Sequence, residues 1–106
     1  MAWVYLIIGG IFEVVWAISL KFAEGFSKIL PSAITIIGMV LSIKFLSMAL
    51  KMLPLGTAYA VWTGIGAVGT VIMGIILFKE PQNFSRLFFI TMIIASIAGL
   101  KLTSPN

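Results

Sequence analysis

A chain of 106 residues that is 61% hydrophobic and 9% charged, with a mean hydropathy of +1.21, is far too apolar for a water-soluble domain. Its net charge of +4 is spread over short clusters between long apolar runs, which fits a membrane surface and excludes the continuous basic stripe of a nucleic-acid interface. Cysteine and histidine are both absent, so disulfides, zinc sites, thiol nucleophiles and histidine acid/base chemistry are excluded, and no cofactor or metal is expected.

A helix crossing a hydrocarbon layer of about 30 Å needs about 20 apolar residues, and four such runs are predicted, over about 3–21, 30–50, 56–78 and 86–103. The fold class is therefore all-α and integral to the membrane, with residues 1–106 read as one four-helix transmembrane domain. The first run lacks a basic start and a small-residue cleavage pattern, and it contains Glu13, so it reads as a retained helix. Lys21, Lys28, Lys79 and Arg86 fall on one side of the membrane; Lys51, Lys101 and the amino terminus fall on the other, with Lys44 snorkelling outward from the second run. So even a balance does not select one orientation. It permits an antiparallel pair in which each subunit supplies half of an inverted repeat.

Within the first run, Glu13 lies about ten residues in, or about 15 Å deep, beyond reach of the headgroups. A carboxylate held there is costly unless a proton or a cation neutralises it, which is the logic of an exchanger. Gly9, Gly10, Trp16 and Ala17 share its helix face. The glycines leave room, and Trp16 offers either an indole N–H or a ring face for a cation.

The second run carries Thr35, Ser42 and Ser47, with Gly38 and Met39 a turn from Ser42. Each hydroxyl is open between a site role and the ordinary bond to the carbonyl four residues back. The third run places Tyr59, Trp62 and Gly66 on one stripe beside Thr63, so two aromatics with polar handles could orient a carboxylate or wall a cation. Gly64, Gly66 and Gly69 spell a dinucleotide-type G-x-G-x-x-G, but that motif needs a strand before it, and here it lies inside an apolar span. These glycines are read as packing points or a hinge. In the fourth run, Ala95 and Gly99 form a small-residue face suited to close helix contact, within one subunit or between two. A single membrane-buried acid with no nucleophile or metal cluster argues against catalysis.

Read together, Gly9-Gly10-Ile11-Phe12-Glu13-Val14-Val15-Trp16-Ala17, Glu24-Gly25-Phe26, and Leu53 through Gly66 resemble the small multidrug resistance transporters, and within them the guanidinium exporter branch. The similarity covers essentially the whole chain. It implies an antiparallel, dual-topology homodimer in the bacterial plasma membrane, exchanging protons for guanidinium or another small cation. Glu13 would be the shared proton and substrate site, lined or oriented by Trp16, Ser42, Tyr59 and Trp62, with Gly10, Met39 and Thr63 at its periphery. Gly10, Trp16 and Lys101 match the guanidinium branch, whereas Lys44 departs from the family pattern. The alternatives are export of quaternary ammonium cations, or service as one subunit of a paired heterodimer.

Overall fold

Backbone amides and carbonyls inside hydrocarbon have no water to bond, so an apolar run crossing it must satisfy them internally as helix. In a computed structural model that describes residues 1–103, the chain does so in α1 (Ala2–Phe22), α2 (Ile29–Ala49), α3 (Leu55–Phe78) and α4 (Phe84–Thr103). All four are long and apolar enough to span a membrane, as the sequence predicts. The largest difference in bounds is at α4, which starts at Phe84 rather than at about 86 because the Asn83 side chain accepts the Arg86 amide at 2.8 Å and caps the helix.

Two of the prolines sit at the starts of helices. Pro54 is the N-cap of α3 and Pro31 lies in the first turn of α2, where no intrahelical N–H bond is lost. The turn after α1 runs through Glu24, Gly25 and Phe26 with φ of 48°, 73° and 65°, and Ser27 Oγ donates to the Glu24 carbonyl at 2.8 Å. Lys79 ends α3 in the left-handed conformation, at φ 54° and ψ 39°.

The helices form an open layer. α1 is central and packs on both α2 and α3, while α4 lies along α3. The layer measures 44 × 34 × 16 Å, so its short dimension is less than two helix diameters. The layer leaves broad apolar faces uncovered, which lipid or another chain must cover.

Glycines set the close approaches to α1. A Cβ on Gly38 of α2 would meet Trp16 Cβ at 2.9 Å, and a Cβ on Gly10 would meet Ile65 Cβ of α3 at 2.8 Å. Beside these contacts a small core forms from Leu6, Leu46, Ala49, Val61 and Trp62. On α4, Ile90 is the buried residue, Ala95 is exposed, and nothing lies within 4 Å of a Cβ built on Gly99. The small-residue face of α4 is thus open within its own chain.

The ends of the layer follow the charge reading. Phe22 and Phe78 touch at 5.3 Å between centroids with Lys21 Nζ over the Phe78 ring at 4.6 Å, and at the opposite end Lys101 Nζ sits 4.8 Å from the Trp3 ring centre.

Candidate functional site

Glu13 points from the middle of α1 toward α3, and its Oε1 is buried without a hydrogen-bond partner. The surface opposite is the bare backbone of Gly66. A Cβ there would land on the Glu13 carboxyl and stand 2.8 Å from its Cγ. Only a residue without a side chain lets the carboxyl lie where it does.

Glu13, Trp16 and Ala17 from α1 and Thr63, Gly66, Ala67, Thr70 and Val71 from α3 line an open groove of about 310 Å³. Apart from Glu13 and Val71 its walls are aromatic or small, with two threonine hydroxyls for polarity. The groove therefore combines a carboxyl lacking partners, a tryptophan ring and room for a small ion, which is the set of features that a cation-binding pocket requires.

A second polar cluster lies one helical turn away. Trp62 Nε1 donates to Ser42 Oγ at 2.8 Å, and Ser42 Oγ donates to the Gly9 carbonyl at 2.7 Å. In a regular helix that same carbonyl accepts the amide of residue 13, so the relay from α3 through α2 ends on the backbone that carries Glu13. The bond that Ser42 makes is thus not the local one. Thr35 does make the local bond, to Pro31 O at 2.8 Å, and so behaves as an ordinary membrane hydroxyl. Ser42 is fully buried and Trp62 nearly so, which makes both bonds costly to break.

The remaining predicted positions are dispersed. Tyr59 stacks obliquely on Trp62 at 5.4 Å and lines a different groove, between α3 and α4, together with Thr63 and Gly64. Thr63 borders both grooves. Gly10 packs under Ile65, Gly64 seats Ile97 of α4, and Gly69 seats Val14 of α1. Met39 lies on the outward side of α2 at 36% exposure, and Lys44 is exposed as well. Neither Trp16 nor Trp62 donates to the Glu13 carboxyl, since the Trp62 N–H is used on Ser42. Ala67, Thr70 and Val71 are the groove residues that sequence reasoning missed; the spacing Thr63, Gly66, Ala67, Thr70 marks one small, polar stripe and was the available signal.

Comparison with known proteins accords with this arrangement. The family model for the Small Multidrug Resistance protein matches residues 1–93. The chain belongs to the small multidrug resistance family. Relatives from Yersinia pseudotuberculosis and Proteus vulgaris, each named "Guanidinium exporter", are 54% identical over 98% of this chain and 100% of their own length. A third of the same name, from Salmonella typhimurium, is also 54% identical, over 98% of this chain and 99% of its length. As a member of this family the chain is a multi-pass membrane transport protein.

For this small multidrug resistance protein, Ser42→Ala tests the relay. It strands the Trp62 N–H in a buried place, and the expected loss of stability is about 1–3 kcal/mol. The readout is the thermal unfolding midpoint in detergent; an unchanged midpoint would mean that the relay contributes nothing to stability.

Proposed function

We propose that this chain exports guanidinium and small guanidinyl cations in exchange for protons, as an antiparallel, dual-topology homodimer in the bacterial plasma membrane. The observation that carries the reading is Glu13, which lines the groove between α1 and α3 with its Oε1 buried and unpartnered. In low dielectric such a carboxylate holds either a proton or a cation, and one occupant leaves before the other binds. Inward proton flow then drives the cation outward.

Guanidinium suits the groove chemically. It is planar and permanently charged, its N–H groups pair with a carboxylate in a two-bond fork, and its plane can stack on an aromatic face such as Trp16. The names of the relatives support the same substrate class. The even distribution of Lys and Arg supports two orientations, and the uncovered Ala95 and Gly99 face of α4 supports pairing with a second copy through that helix.

Transport in reconstituted proteoliposomes tests this directly. Guanidinium is supplied on one side and proton movement in the opposite direction is recorded, with a tetra-alkylammonium ion as the comparison. Guanidinium-driven proton movement with little ammonium response is expected. An ammonium response instead would move the chain to quaternary-cation export, and silence with both would point to a paired heterodimer. Trp16→Gly is expected to widen the groove and admit bulkier cations; unchanged selectivity would reduce Trp16 to a packing wall against Gly38.

A further inference from the structure

The groove at Glu13 continues beyond it. Ala17, Thr70 and Val71 line both this groove and a second cavity of about 220 Å³, which reaches Lys21, Glu80 and Arg86 where α1 and α3 end. The Glu80 carboxyl is folded back onto the last turns of α3, where a Cβ on Gly74 would meet its Cδ at 2.9 Å. It is held there by Arg86 Nη2 at 2.6 Å, while Arg86 Nη1 donates to the Pro81 carbonyl at 3.1 Å. The two side chains are only 27% and 34% exposed. Lys21, the other cation at this mouth, sits over the Phe78 ring. Glu24, the chain's third acid, is paired with Lys28 at 3.0 Å in the exposed turn after α1 and does not line the cavity.

An arginine side chain ends in a guanidinium. The Glu80–Arg86 pair is therefore a tethered version of the complex that free guanidinium forms with a carboxylate, and it lines the cavity that adjoins the Glu13 groove. We propose that Glu80 is a second station for guanidinium-type cations, where an ion entering or leaving the groove displaces the Arg86 guanidinium. Thr70 provides the polar side chain between the two stations. The inference rests on the reading that guanidinium moves by way of Glu13.

A simple brace between α3 and α4 would use the same ion pair, and the two roles differ in sign. If Glu80 receives the cation, Glu80→Gln removes the station, whereas Arg86→Gln frees it. Guanidinium-driven proton movement is measured in proteoliposomes containing the full chain. Glu80→Gln is expected to raise KM by about fivefold with the maximal rate within about twofold of the parent, as befits a partly exposed ion pair. Arg86→Gln is expected to lower KM, and Glu80→Asp to restore it. Unchanged KM in Glu80→Gln, or a KM unchanged or raised in Arg86→Gln, overturns the station. Should Glu80→Gln fail to insert, the direction of change in Arg86→Gln decides alone. A parent protein that moves no protons with guanidinium, or a Glu13→Gln variant that still does, rejects the underlying transport reading instead.

Discussion

Glu13→Gln is expected to abolish guanidinium-driven proton movement and guanidinium binding together. The amide keeps the shape of the side chain but can neither ionise nor hold a cation by charge. At a separation of about 4 Å and an effective dielectric of about 20, the lost attraction is about 4 kcal/mol, or about three orders of magnitude in affinity. Nothing nearby replaces it: the groove holds no second carboxylate, and Glu80 lies at the far end of the adjoining cavity. Binding is measured by titration calorimetry in detergent and coupling in proteoliposomes. Loss of coupling with retained binding would separate the proton site from the cation site, and proton-driven uptake by the variant would sink the shared-site reading entirely.

Gly66→Ala is expected to be nearly as damaging to transport while leaving the fold in place. The new Cβ would occupy the position of the Glu13 carboxyl, but that carboxyl is the mobile end of a flexible side chain and can rotate away. The helices then keep their spacing while the acid loses its place, and a displaced reacting group costs about a hundredfold. Gly10→Ala makes the opposite case. Its Cβ would meet the branched Cβ of Ile65, an atom that moves only with the α3 backbone, so overpacking is expected to cost about 1–3 kcal/mol of stability. Thermal midpoints and guanidinium flux, measured on both variants, distinguish the two glycines. A Gly66→Ala protein with normal flux would show that the carboxyl functions from another position.

How much of this was legible beforehand depended on the range of the interaction involved. Tyr59 and Trp62 share a stripe because residues three apart on a helix are neighbours, and their rings do meet. The same spacing rule cannot say what a stripe faces. Trp62 and Tyr59 were plausible partners for a carboxylate by residue type, yet one N–H goes to Ser42 and the other ring borders α4. For Ser42, a bond within its own helix and a bond across to Gly9 were equally compatible with its position in α2. Gly66 was visible as a small residue in a glycine-rich run, but its relation to Glu13 belongs to a pair of residues on separate helices.

By itself the sequence determined four spans, the depth of Glu13, the charge balance at the two ends and the kinship with the small multidrug resistance family. These are local or additive properties: hydropathy sums along a run, and depth is residue count multiplied by helical rise. Tertiary structure alone decided that the helices lie in an open layer, that Gly66 receives the Glu13 carboxyl, that Ser42 links Trp62 to Gly9, and that Glu80 folds back over Gly74. Each of these depends on how closely two helices approach. That distance is set jointly by small residues on facing surfaces, and no periodicity within one helix encodes which surface of another it will meet.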